Sequence, residues 1–198
     1  DVEIEKKVVQ SACELKAEGI IVMASEEKNE RLLQLCESHF PLVYLNSLPP
    51  VPDCSHIIYD MAAITRTGME YLLGLGHRRI LLVNSEENSK NFSSFARFEK
   101  AYRRALKKQG IKIDPQLIRY SGTTIEDGRD AITDAIQNGV DFSAVFAICD
   151  VAALGVIEAL EQHGKKVPKD VSVLGIDNID ISALSRIDLT TIEIHNAA

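Results

Sequence analysis

At 198 residues, 45% of them hydrophobic, the chain is long enough to bury one or two cores. A formal net charge of −7 argues against a segment that grips phosphate backbones through its overall field. No apolar run approaches the roughly 18 residues of a membrane helix, and no charged-then-apolar-then-small leader opens the sequence.

In chain order, Ile4, Val8, Ala12 and Leu15 recur at helical spacing and predict a first helix with Gly19 as its C-cap. Ile20–Met23 reads as a short strand, Asn29–Glu37 as a helix and Leu42–Leu45 as a strand. Pro41 stands just ahead of that strand, where a missing N–H matters least. Pro49, Pro50 and Pro52 forbid a helix across Asn46–Cys54. His56–Tyr59 then reads as a strand, and Met61–Leu75 as a helix burying Ile64, Met69, Leu72 and Leu73. The run Ile80–Val83 suits a strand covered on both faces. Helices near 94–109, 126–137 and 151–163 alternate with strands near 117–120, 144–148, 171–174 and 189–194. Such alternation predicts βαβ units and a parallel sheet, hence an α/β fold. A doubly wound lobe ordinarily opens on a strand, so a β–α–β opening upstream of this helix is expected.

The chemistry-bearing residues cluster after strands. Asp177 follows the buried run ending at Gly175, and Asp150 follows Ala144–Ile148 in the same way. In an open parallel sheet, ligands bind at the carboxyl ends of strands. Asn84 and Ser85 follow Ile80–Val83, and the Asn- and Ser-rich loop Asn84–Ser94 is expected to line that end with them. Asp150 also fits the N-cap of the helix that follows it, and Asp177 a turn.

Cys13, Cys36, Cys54 and Cys149 show neither CxxC nor Cys/His metal spacing and read as free thiols in a reducing compartment. The histidines form no ligand set, and His77 reads as structural. No metal or cofactor is expected. The basic pairs Arg78-Arg79, Arg103-Arg104 and Lys107-Lys108 sit in or beside amphipathic patterns and read as solvated faces. No GxSxG elbow, P-loop, GxGxxG after a strand or HExxH is present, so an enzyme is not expected.

Four blocks, in order, resemble the LacI/GalR (lac repressor/purine repressor) family of bacterial transcriptional regulators. They are Asp60 with TGMEYLLGLGHRRILLV, AYRRALKKQGI, AVFAICDVAALGVIEALEQHG, and VPKDVSVLGIDN running on to LTTI. The resemblance implies two doubly wound lobes of the periplasmic-binding-protein type, with an effector held in the interlobe cleft. The first lobe would be residues 1–76 with 192–198, incomplete here, and the second 77–191. The family's helix-turn-helix headpiece, which carries operator DNA binding, is absent from the sequence. A cytoplasmic homodimer with a sugar-like effector and no membrane contact is implied. A periplasmic sugar-binding protein serving a transporter is the alternative.

By the same resemblance, Asp177 binds effector hydroxyls or amines, and Asp150 is a lesser candidate. Cys149 stands where relatives carry a polar side chain, often asparagine, and Thr123 falls near a position where they stack an aromatic ring. Counting back from Ala101-Tyr102 nominates Arg97 as an anion clamp and Phe98 as an apolar wall.

Overall fold

The computed structural model describes residues 2–23, 29–46, 48–49, 51–85 and 93–194, and divides into two compact units. The first comprises Asp1–Asp60 and Asn88–Ala96; the second comprises Met61–Glu87 and Arg97–Ala198.

In the first unit, α1 (Val2–Glu14), β1 (Ile20–Val22), α2 (Glu30–Glu37), β2 (Leu42–Leu45) and β3 (Ser55–Ile57) follow one another. The three strands form a parallel sheet in the order β1-β2-β3. Its core gathers Val9, Val22, Leu32, Leu35, Leu42 and Tyr44. Asn29 caps α2 through a side-chain oxygen that accepts from the Arg31 and Leu32 amides, while its Nδ2 donates to Glu5 at 2.7 Å. The predicted C-cap of α1 is displaced: Lys16, at φ 59°, turns the chain, with its N–H donating to Cys13 O. Gly19 serves a different purpose, since a Cβ there would press on the Pro41 carbonyl oxygen at 3.1 Å.

The reading of four free thiols does not hold. Cys36, at the end of α2, is joined by a disulfide to Cys54, just before β3, with Cα atoms 5.8 Å apart. Only the fold brings these residues, 18 apart in sequence, within bridging distance. Cys13 and Cys149 are free.

The second unit opens with α3 (Met61–Gly74), followed by β4 (Ile80–Asn84) and α4 (Ser93–Lys108), whose first turn falls in the first unit. Then come β5 (Ile118–Tyr120), α5 (Ile125–Gln137), β6 (Ala144–Ala147), α6 (Asp150–Gln162), β7 (Ser172–Asp177) and β8 (Thr190–Glu193). All five strands are parallel, in the order β5-β4-β6-β7-β8. The α/β class expected from the alternation is the one observed.

Side-chain alternation sorts the two faces of this sheet. Leu81, Val83, Val145, Ala147 and Val173 pack with Ala131, Ile132, Ala135, Val156 and Leu160 of α5 and α6. On the opposite face, Phe146 meets Phe98 of α4 edge-on at 4.9 Å, and lies with Leu174 against Gly68 of α3. A side chain at position 68 would collide with both. That close approach ties α3 to the second unit, whereas the sequence reading grouped it with residues 1–76. Likewise Ile192 and Glu193 lie on β8, paired with Ile176 and Asp177 of β7. Residues 195–198 and 86–92 lie outside the described residues, so the expected tail and most of the Asn84–Ser94 loop are not described.

α5 and α6 pack backbone to backbone. A Cβ on Gly128 would run into the Ala152 carbonyl oxygen, and one on Gly155 into that of Ile125. At the amino edge of the sheet, His77 spans Ser143 (Nδ1, 2.9 Å) and Ser172 (Nε2, 3.1 Å), the structural role its turn suggested.

Candidate functional site

A strand order of 2-1-3-4-5, counted within the five-stranded sheet, has its topological switch between β4 and β6, and ligands of such sheets bind beyond the carboxyl ends there. Asn84 ends β4, and Cys149 and Asp150 follow β6. Asp177 ends β7, and Thr123 follows β5. Six of the sequence-nominated residues, Asn84, Ser85, Thr123, Cys149, Asp150 and Asp177, therefore share one edge of one sheet.

Their roles separate on inspection. Asp150 is wholly buried and is the first residue of α6. Its Oδ2 accepts from the Ile179 amide at 3.1 Å and the Ser182 hydroxyl at 2.7 Å, and its Oδ1 accepts from the Thr191 hydroxyl. Gly175 has no side chain because a Cβ would strike Oδ1. This carboxylate is an internal tether that binds α6, the turn after β7 and β8 into one piece. The N-cap is Cys149, not Asp150: the thiol accepts from the Ala152 amide and donates to the Thr123 carbonyl at 3.4 Å. Burial pushes this thiol above its ordinary pKa, which makes it a poor nucleophile.

Asp177 is exposed. Its backbone sits at φ 114° and that of Asn178 at φ 54°. The first value is costly for a residue with a side chain, on the order of 1–3 kcal/mol. The Asn178 amide is tied to Thr191 Oγ1 at 3.3 Å. Desolvation, and then the neighbouring Asp150 charge, raise the Asp177 carboxyl from 3.8 to about 6; a bond from the Asp150 amide works in the opposite direction. A carboxyl kept near neutral pH over a helix N-terminus is poised to accept hydrogen bonds from an incoming donor.

Asn84 is buried, and its side-chain oxygen accepts from the Ser85 amide at 2.9 Å. Its carbonyl receives the Ser121 and Gly122 amides, so this asparagine shapes the strand-end turns. Thr123 offers an exposed side chain, and Ser85 a partly exposed one. Ser121 was not singled out in the sequence, yet it follows β5, and its buried hydroxyl has no hydrogen-bond partner among the described residues. Ser182 and Thr191 were also missed, because only their contacts with Asp150 reveal them.

The α4 pair behaves differently. Phe98 is fully buried against Phe146, so its ring is spent on the core and offers no surface as an apolar wall. Arg97 lines a groove between α3 and α4. Among the described residues no group of three or more His, Cys, Asp or Glu could hold a metal ion, and no helix is long and apolar enough to cross a membrane.

Residues 69–197 match the family model described as "Periplasmic binding protein-like domain". The HTH-type transcriptional repressor CytR of Escherichia coli (strain K12) is 28% identical over 189 residues, 95% of this chain and 54% of that protein. The HTH-type transcriptional regulator RegA of Clostridium acetobutylicum is 31% identical over 195 residues, 98% of this chain and 58% of that protein. The chain thus spans a little over half the length of these curated relatives. Its fold superposes, with a TM-score of 0.88 at 24% identity, on a LacI-family sugar-binding transcriptional regulator from Escherichia coli complexed with phosphate, covering 98% of this chain and 69% of that one. These relatives are regulators rather than enzymes, and they do not favour the transporter alternative. The chain belongs to the periplasmic binding protein-like domain family, as an effector-binding domain of the LacI/GalR type.

Proposed function

We propose that this domain senses a small polar effector at the carboxyl edge of its five-stranded sheet, with Asp177 as the anchoring acceptor. The observation that carries the reading is the pairing of two carboxylates with opposite employment: Asp150 has its oxygens filled by protein donors, while Asp177 stands exposed on strained backbone. Ser85 and Thr123, at the same carboxyl edge of the sheet, are assigned as further polar contacts, Cys149 and Asn84 hold the strand ends, and Asp150 fixes the platform.

Above pH 6 the Asp177 carboxylate is ionised and can accept two hydroxyl or amine donors, which supplies both orientation and selectivity. A donor-rich effector relieves the desolvated charge, so ligand and ionised Asp177 stabilise each other. A sugar or sugar derivative fits this chemistry, and the LacI-family neighbour described as sugar-binding supports it. The parent protein is proposed to be a cytoplasmic homodimeric regulator that meets operator DNA through a helix-turn-helix headpiece. Effector and DNA then alter each other's affinity by the same factor.

A thermal-shift screen against sugars, sugar phosphates, sugar acids and nucleobases tests the proposal. A ligand at a hundred times its Kd adds about 2.7 kcal/mol. The expected result is a melting rise that Asp177→Ala erases. A rise that survives in that variant places binding elsewhere and overturns the assignment.

A further inference from the structure

The second unit carries a basic groove on the helix layer formed by α3 and α4. Its cavity of about 550 Å³ is lined on the α3 side by Ala62, Arg66, Glu70 and Leu73. On the α4 side, Arg97, Lys100, Arg104 and Lys108 recur at three- and four-residue steps, so all four fall on one stripe of that helix. Ala101 and Ala105 are too small to fill the space between them.

Five cations thus face one carboxylate in a chain whose net charge is −7. The contrast with the rest of the unit is informative. Arg79 pairs with Asp114 and Asp141, Arg103 with Glu99, Arg119 with Asp134 and Arg129 with Glu158. Arg66, Lys100, Arg104 and Lys108 make no ion pair among the described residues, although Glu70 shares their groove. Packing unneutralised like charges into a concavity raises the local potential and costs self-repulsion, which an anion removes.

We infer that the α3–α4 groove is a second ligand site, for an organic polyphosphate that lays separated phosphates along the α4 stripe and an apolar ring on the alanine floor. At 1.5 Å per residue, the stripe from position 97 to 108 extends about 16 Å. That length exceeds a single phosphate and suits a phosphate chain with a ring attached. The volume falls in the ordinary range of small-molecule pockets, roughly 300–1,000 Å³. Arg66 and Arg104, from opposite walls, supply planar forks for bidentate phosphate contacts, and the lysines add point charges. The site is distinct from the sheet-edge residues around Asp177 and does not depend on their role.

Isothermal titration of the full chain with magnesium-free ATP, and with inorganic phosphate and a polyglutamate peptide as comparisons, tests this. ATP is expected to bind one-to-one, more tightly than phosphate and less tightly at raised salt. The double variant R66Q/R104Q should weaken it at least tenfold, about one lost decade from two charge-assisted contacts. Both substitutions are exposed, and an unchanged circular dichroism melt reports an intact fold. Lys107→Gln, outside the groove, and Asp177→Ala should leave ATP binding unaltered. Absence of ATP binding overturns the proposal, as does ATP affinity unmoved in R66Q/R104Q or lost in Asp177→Ala. Binding of polyglutamate without ATP overturns the small-molecule assignment in favour of an acidic protein partner.

Discussion

Replacing Asp150 by alanine separates the platform from the anchor. The substitution removes an acceptor for three donors at once: the Ile179 amide and the Ser182 and Thr191 hydroxyls. A hydrogen bond to a charged group contributes about 1.5–3 kcal/mol, and a buried donor left unpaired costs about 1–3 kcal/mol. Ser182 is 1% exposed and cannot turn to solvent, whereas Ile179 and Thr191 are only partly buried and can recover water. The expected loss is therefore about 3–5 kcal/mol rather than the full sum. That is a large share of the 5–15 kcal/mol typical of a domain. Urea titration followed by far-ultraviolet circular dichroism reads it as a lower midpoint with unchanged slope. A second readout is independent of stability. The Asp150 charge is one of the two causes that raise Asp177, so in Asp150→Ala the Asp177 carboxyl should titrate between 3.8 and 6 instead of about 6. Carbon-13 NMR of the carboxyl group follows this directly. A loss under 1 kcal/mol, or an Asp177 titration unmoved by the substitution, refutes the tether.

Three further outcomes are expected. Because the folded pKa of Asp177 lies above its unfolded value, its stabilising contribution is full below pH 3.8 and lost as pH rises through about 6. Asp177→Asn should therefore stabilise the ligand-free domain at pH 7, by about 1 kcal/mol after discounting for its exposure, and a flatter melting temperature between pH 4 and 7 checks it. Gly155→Ala drives a methyl group into the Ile125 carbonyl oxygen and should cost about 3 kcal/mol by forcing α5 from α6, measured by urea denaturation. Reducing the Cys36–Cys54 bond, or replacing both residues by serine, frees an 18-residue loop and should cost the first unit about 3 kcal/mol, seen by hydrogen exchange in α2 and β2.

Much of this was legible in the sequence because period and punctuation agree. Leu42–Leu45 has the expected bounds, and the other strands and helices fall within a few residues of expectation. The shared strand-end position of Asn84, Ser85, Thr123, Cys149, Asp150 and Asp177 was equally readable: polar residues directly after apolar runs mark strand ends, and parallel topology brings strand ends together. What escaped depended on distance along the chain. The partners of Asp150 lie 29, 32 and 41 residues away, so its tethering role had no local sign. The same holds for the disulfide. Phe98 and Arg97 differ by about 100° around α4, enough to send one into the core and the other into the groove. The grouping of α3 turned on Gly68, whose missing side chain admits Phe146 and Leu174. The basic pair Arg103-Arg104 split likewise, one residue bound to Glu99 and the other facing the groove.

Isothermal titration of the best hit from the effector screen into the wild-type chain and Asp177→Asn, at pH 7 and pH 5, bears most directly on the sensor assignment. If Asp177 is the anchor, affinity falls at least tenfold in the amide variant, and for the wild type it weakens at pH 5, where the carboxyl of pKa about 6 is mostly protonated. Equal affinity in both proteins at both pH values would contradict it.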